Sequence, residues 1–173
     1  LASTAFTQGP PPPRMQQCPL TQTIPLTNTN WTNSLTFPRF DPQTGILVGV
    51  QFSLAAQVEV TARFESLDAA PAIVDVLLSG QVRVLRPGGA TEILSASPSQ
   101  QFNESVGAFD GTIDFMGSSG RTYPPVLLTQ SLSATSPPPP SDLALFTGPA
   151  GAPGTISLPV TGAGQSMAMG PGN

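Results

Sequence analysis

The longest regular pattern of apolar and polar positions runs from residue 46 to residue 64. The apolar residues of this run share one parity: Ile46, Val48, Val50, Phe52, Leu54, Ala56, Val58, Val60, Ala62 and Phe64. A period of two is typical of an extended strand with one face in a core and the other in water. An unbroken strand of this length would span roughly 60 Å, well beyond the usual ~3–10 residues. The pattern therefore predicts a bend or bulge near Gly49 or Ala55-Ala56.

A second alternating pattern follows the turn-forming residues 67–71. Its apolar positions are Ala72, Val74, Val76, Leu78, Val82 and Val84. Two alternating runs on either side of a turn-rich break are typical of a β-hairpin. We therefore expect residues 46–64 and 72–86 to pair as antiparallel neighbours in one sheet.

Shorter alternating segments predict the remaining strands. They lie at residues 21–26, 31–37, 90–96, 99–106, 123–134 and 155–160, with a short strand around Ile113 and Phe115. Residues 142–146 fit one helical turn or a strand, and residues 161–173 show no closing strand. Many short β segments separated by Gly and Pro turns predict an all-β fold, a single antiparallel β-sandwich or jelly-roll-like domain.

An extended N-terminal arm precedes the predicted domain. Its residues are small, uncharged and compatible with a strand, and four consecutive prolines follow them: Pro10, Pro11, Pro12 and Pro13. Such a run is a stiff polyproline spacer of roughly 12 Å. We divide the chain into an arm over residues 1–13 and a β-sandwich domain over residues 14–173. The alternative for the arm is a disordered terminus.

The amino-acid composition favours some classes of protein and argues against others. Charged residues make up 9% of the chain, far below the usual ~25%. This composition is typical of secreted or cell-surface β-proteins, and the net charge of −4 with six scattered arginines argues against a nucleic-acid partner. No run is apolar for the ~18 residues of a transmembrane segment.

Several chemistries require residue types that this chain lacks. It has no His and no Lys, which excludes His-based catalytic triads, imidazole metal ligands and Schiff bases. We predict no enzymatic activity and no cofactor. Cys18 is the only cysteine, so it is either a free thiol or half of an intermolecular bridge.

Acidic residues in the predicted loops are candidate calcium ligands. Asp110 and Asp114, with Asp41 or Asp68, could supply hard oxygen ligands. The Asp-Gly-x-x-Asp spacing does not match an EF-hand loop. Turn formation and helix capping are the more common roles of aspartate in such segments, so we predict no metal site.

The sequence contains candidates for two kinds of carbohydrate site, one for N-glycosylation and one for sugar binding. Asn30 and Asn103 begin N-glycosylation sequons, which matter in a host that glycosylates. Trp31, Tyr123 or Arg121 could line a sugar-binding site at one end of the sandwich. For Trp31, burial in the core is the alternative, because aromatic side chains bury large areas.

Separate motifs that occur in a fixed order indicate a family. They are FESLDAAP at residues 64–71, FDGTIDF at 109–115, GSSG at 117–120, SDLALFTG at 141–148 and GTISLPV at 154–160. With these motifs the chain resembles the bacterial choice-of-anchor E domain. The resemblance implies export and placement at the cell surface, and it supplies no catalytic residues. Relatives typically continue past a Gly-Asn pair like Gly172-Asn173 with one more alternating strand.

These features together suggest strand complementation. A sandwich that lacks a strand exposes unpaired backbone groups and an apolar groove, which a neighbour's strand fills by β-augmentation. A donor at residues 1–8 makes a head-to-tail contact, which does not close and builds a filament. The candidate donor residues are Leu1, Ala2, Thr4, Ala5, Phe6 and Thr7, and either parity could face the groove.

The sequence therefore predicts an extracellular structural protein that polymerises with copies of itself into a pilus-like fibre. The alternative is a monomeric surface-anchored adhesin or glycan-binding module, whose partners would be a cell-surface anchor or a glycan.

Overall fold

A computed structural model of the chain describes residues 16–28, 30–89, 91–133 and 142–170. The predicted donor arm and its proline spacer, residues 1–13, lie outside the described residues. The nine strands of the described chain are β1 (Trp31–Pro38), β2 (Ser53–Val60), β3 (Arg63–Glu65), β4 (Ala72–Leu85), β5 (Glu92–Ala96), β6 (Ser99–Val106), β7 (Gly120–Thr122), β8 (Val126–Ser133) and β9 (Thr155–Met169). A 3₁₀ turn covers Pro42–Thr44, and one helical turn, α1, covers Leu143–Phe146.

The larger sheet is built around the two longest strands, β4 and β9. They pair antiparallel from Val84↔Val160 to Asp75↔Met169. β1 pairs with the first half of β9, whereas β6 and β5 pair in succession along the other side of β4. Every one of these strand pairs is antiparallel, which confirms the predicted all-β, antiparallel character.

The smaller sheet is a long two-stranded ribbon. β2 pairs with β8 and β3 pairs with β7, both antiparallel. The amide of Tyr123 donates to the carbonyl oxygen of Ala62 at 2.9 Å and joins the two ladders. Within the part of the first long run that forms strands, the break lies at residues 61–62 and not at Ala55-Ala56, which lie inside β2, whereas Gly49 lies in a segment that forms no strand.

The two sheets pack face to face and enclose the core. One cluster of buried side chains lies between β4 and the ribbon: Val58, Phe64, Val74, Val76, Leu78, Val106 and Leu128. A second lies over β1 and β9: Val84, Phe146, Ile156, Leu158 and Val160. The alternation of these apolar residues explains the arrangement, since successive side chains of a strand point to opposite faces. The antiparallel β-sandwich is thus confirmed, and the jelly-roll topology is not.

The predicted hairpin between residues 46–64 and 72–86 is wrong. β2 and β3 belong to the small sheet, while β4 belongs to the large one. Two strands that each have one apolar face can lie side by side in one sheet, or they can belong to two sheets whose apolar faces pack against each other. Here they lie face to face, with Val58 against Gly80.

Residues 46–52, predicted to begin the first long strand, form no strand. Leu47, Val50 and Phe52 pack against the second core cluster, whereas Ile46 is 87% exposed and Val48 65% exposed. The predicted parity therefore fails before Val50. The physical reason is that this segment covers β1 and β9 as irregular chain instead of pairing in a ladder.

Three further expectations are wrong. Residues 21–26 form no strand, and only Ile24 among them packs against the core. Residues 113–115 lie in a loop, in which Ile113 is 62% exposed and Phe115 has a positive φ of 61° that does not fit a strand. Residues 161–169, expected to form no strand, continue β9, because the long β4 offers them backbone partners.

The other strand predictions are confirmed. Residues 31–37, 99–106 and 123–134 correspond to β1, β6 and β8, and the turn at residues 87–89 leads into β5. The alternating Ile156, Leu158 and Val160 point into the core, as expected. Of the two options for residues 142–146, the helical turn is the one formed.

Candidate functional site

The outer edge of β9 is paired along only half of its length. β1 covers it from Pro38↔Thr155 to Trp31↔Gly162, and beyond Gly162 no described residue pairs with that side. On its other side β9 stays paired with β4 as far as Met169. Residues 163–169 therefore form an open edge, at which alternate backbone N–H and C=O groups point away from the sheet.

The chain leaves this edge at the residue before β1. Asn30 has a φ of 64°, in the left-handed region that asparagine tolerates better than most residues. Residues 16–28, on the far side of this turn, form no strand. Since Asn30 and residues 16–28 belong to no strand, the pairing on this side of β9 ends at Gly162 among the described residues.

A groove lies beside the open edge, on the inner face of the large sheet. It has a volume of about 120 Å³ and is lined by residues 62–64, Val76 and residues 166–168. Ser166 is paired with Leu78 and Ala168 with Val76, so both point to the core side of the sheet. Both are nevertheless exposed, with residues 62–64 of the ribbon on the other side of the groove.

The outer face of the sheet is also apolar next to the open edge. Ile73 is 56% exposed, Met167 38% and Met169 51%. Met167 is paired with Leu77 on β4, so these side chains share one face. A strand added at the open edge would therefore meet apolar side chains on the outer face of the sheet, and on the inner face a groove with both polar and apolar lining residues.

The open edge lacks the usual protection against pairing. Natural edge strands commonly carry charged residues, proline or bulges that prevent another strand from docking. Residues 163–169 contain no charged residue and no proline. The acid nearest in register is Asp75, opposite Met169 on the β4 side, and its Oδ1 accepts a hydrogen bond from Asn103 Nδ2 at 2.7 Å.

Both sequon asparagines are exposed. Asn30 lies at the start of β1, immediately beside the open edge. Asn103 lies in the middle of β6, where its Nδ2 is already bonded to Asp75 across the strand pair. The structure therefore keeps both sequons accessible and places only Asn30 near the open edge.

The candidate sugar-binding residues do not converge on one site. Trp31 packs against the second core cluster with its indole over Gly162. The Arg121 guanidinium donates to the carbonyl oxygens of residues 105, 117 and 120, which secures a loop. Both residues thus have structural contacts that occupy the groups a sugar would need.

Tyr123 is the third of these residues and is also engaged. Its ring lies 4.9 Å from that of Phe102, and its hydroxyl donates to Glu104 Oε1 at 3.0 Å. Burial, and then the hydrogen bond to Glu104, raise the pKa of Tyr123 to about 12. The phenol is thus protonated at neutral pH, where its hydroxyl donates a hydrogen bond and its ring packs against Phe102.

Three of the four aspartates considered as calcium ligands accept hydrogen bonds from backbone N–H groups through their side chains. Asp41 caps the 3₁₀ turn through Gln43 N at 2.9 Å, Asp110 accepts from Thr112 N, and Asp114 accepts from Met116 N. Within the described chain, no three Cys, Asp or Glu side chains come together as a metal site would require. Cys18 is exposed. No described helix has the length and hydropathy needed to cross a membrane.

The sequence pattern does not reveal the open edge, because it predicts no strand over residues 161–169. Residues 161–169 contain Gly, Ala, Ser and Met, which carry little β propensity. The available signal was a weak alternation in which Gly162, Gly164, Ser166 and Ala168 are the small residues of one parity. Comparisons with protein-family models, with curated proteins and with solved structures find no match to this chain.

Proposed function

We propose that this chain is a structural subunit of an extracellular filament whose copies are joined by β-strand complementation. The observation that carries the proposal is the one-sided pairing of β9, which leaves residues 163–169 as an open edge among the described residues. An added strand would gain a ladder of backbone hydrogen bonds there, and it would cover the adjoining groove.

The donor in this proposal is the segment that precedes the four prolines. Residues 1–9 are uncharged, and Phe6 is their largest side chain. Because proline lacks a backbone N–H and favours an extended conformation, the prolines would end the donated strand and hold it away from its own domain. A neighbouring copy then becomes the acceptor.

The geometry of such a contact implies polymerisation. The donor and the acceptor are different surfaces of the subunit, so every copy can donate once and accept once. A heterologous contact of this kind builds an open filament unless its rotation closes a ring. Extracellular placement, as an exported surface protein of the choice-of-anchor E type, is part of the proposal and is supported by the low charge content and the ordered motifs.

No observation favours the alternative of a monomeric glycan-binding module. Such modules usually present an exposed aromatic surface to the sugar, whereas Trp31 and Tyr123 are half-buried and packed. Arg121 is occupied by backbone carbonyl groups. We therefore propose assembly, and not sugar binding, as the function of this chain.

Negative-stain electron microscopy tests the proposal. The full chain and a variant lacking residues 1–13 are imaged at matched concentration, and circular dichroism verifies that both are folded. We expect filaments from the full chain and monomers from the deletion variant. Monomers in both samples would contradict assembly, whereas filaments in both would leave polymerisation intact and remove the arm as its cause.

A further inference from the structure

We infer that residues 3–9 of one copy pair antiparallel with residues 163–169 of the next, with Phe6 directly opposite Ser166. This inference rests on the proposed function and specifies the register of the same contact. It is carried by two fixed points and one parity: the end of the open edge at the Trp31↔Gly162 pair, the first proline of the donor, and the face on which the groove lies.

The two fixed points define one register. The open edge ends where Trp31 pairs with Gly162, so a donated strand cannot continue past Ala163. On the donor, Pro10 is the first residue that has no N–H for a ladder. An antiparallel strand that places Gly9 opposite Ala163 brings Pro10 to the level of Trp31. The remaining pairs then run to Ser3 opposite Met169.

The parity places the one large donor side chain in the groove. Residues directly opposite each other in an antiparallel pair share a face. Ser166 points to the core side, beside the groove lined by Val76 and residues 62–64. Phe6 would therefore enter the groove, and the small hydroxyl side chain of Ser166 leaves room for the ring. Ala5 and Thr7 would lie on the outer face, next to Met167 and Gln165.

A shift of one residue is unfavourable because it turns every side chain to the other face. Phe6 would then lie on the solvent side, and only Ala5 or Thr7 would reach the groove. The antiparallel direction follows from the rest of the fold, in which every named strand pair is antiparallel. It also places the donor in line with β1, whose direction along β9 it repeats.

Disulfide trapping tests the register. In a Cys18→Ser background, copies with Ala5→Cys are mixed with copies with Met167→Cys, which carry a tag of different mass. Opposite residues have Cα atoms ~4.5–5.5 Å apart, within the range for a disulfide. We expect a cross-linked species containing one copy of each. Mixing Ala5→Cys with Ser166→Cys is the matched control, because Ser166 points to the opposite face.

The outcomes separate the register from the assembly itself. Filaments that cross-link through Ser166→Cys but not through Met167→Cys would overturn the register while leaving the proposed function intact. The absence of filaments from the full chain would overturn both.

A pair of alanine variants checks the anchor residue independently. Phe6→Ala should raise the subunit concentration needed for filaments at least tenfold, whereas Thr7→Ala should change it less than twofold. Equal effects of the two variants would contradict the placement of Phe6 in the groove. Circular dichroism and thermal unfolding of the monomers verify that neither variant alters the fold.

Discussion

The indole of Trp31 lies over Gly162, so closely that a Cβ on the glycine would overlap the ring. This contact marks the last pair between β1 and β9 and the beginning of the open edge. Gly162→Ala should therefore displace Trp31 and lower the free energy of unfolding by about 1–3 kcal/mol. Because Trp31 is the only tryptophan, its fluorescence reports both the displacement and the denaturant midpoint. Ala163→Ser, at the next and exposed position, is the control and should change stability by less than about 0.5 kcal/mol.

A second glycine determines how closely the two sheets pack. A Cβ on Gly80 would lie 2.6–3.0 Å from the side-chain carbons of Val58. Gly80→Ala should cost about 1–3 kcal/mol by overpacking. In the double variant with Val58→Ala the removed methyl groups make room, so the combined cost should be smaller than the sum of the single costs. Strict additivity in urea unfolding would contradict the face-to-face packing of β2 on β4.

Among the described residues, the buried acid Asp142 has Arg86 as its ionic partner. Asp142 is 4% exposed and its carboxylate is paired with Arg86, whereas it makes no capping bond to α1. Arg86→Ala should leave an uncompensated buried charge and lower the free energy of unfolding by about 3 kcal/mol. The matched control is Arg83→Ala, which breaks the exposed 2.7 Å pair with Glu92 and should cost about 0.2–1 kcal/mol. Similar losses from the two variants would contradict the burial of Asp142.

Tyr123 makes stability fall at alkaline pH. Its pKa is raised to about 12, so between pH ~10 and 12 the unfolded chain loses the phenol proton while the folded chain keeps it. Stability from this group is therefore complete below pH ~10 and is lost as pH rises toward 12.

The absence of other tyrosines makes this measurement direct. Tyr123 is the only tyrosine, so phenolate absorbance near 295 nm titrates it alone. We expect a midpoint well above 10 in the folded protein and near 10 in denaturant. Glu104→Gln should lower the folded midpoint, because it removes the charge that opposes ionisation. A folded midpoint equal to the denatured one would contradict the buried hydrogen bond.

The strands that could be predicted from sequence are those whose alternation is caused by burial. Leu158 and Val76 belong to runs in which every second residue is apolar and faces the core, so β4 and the first part of β9 are recognisable in the sequence. The pairing is not, because alternation tells which face of a strand is apolar and not which strand lies beside it. The runs that contain Val58 and Gly80 are therefore expected from the sequence to be neighbours in one sheet, whereas in the structure they stack face to face.

The candidate site was less predictable than the fold for a related reason. The inner face of β9 beyond Gly162 carries small residues, so the apolar signal fades where the core is uncovered. Conversely, Ile46 and Val48 belong to the strongly alternating run 46–64, although they are exposed and lie in no described strand. The pattern of hydrophobic residues indicates which side chains are buried. The open edge, in contrast, is defined by backbone groups that lack a hydrogen-bond partner, and side-chain patterns do not predict backbone pairing.

A charge placed on the open edge should prevent assembly if that edge is the acceptor. Natural sheets use inward-pointing charges to block strand addition, and Ser166 points inward beside the groove. Ser166→Lys should therefore abolish filaments while leaving the monomer folded, because the exposed side chain reaches water in the absence of a donor. Gln101→Lys, on an exposed position of β6 away from the edge, is the charge-matched control and should assemble normally. Sedimentation of the filaments measures both variants, and equal pelleting of the two would show that the contact between copies lies elsewhere.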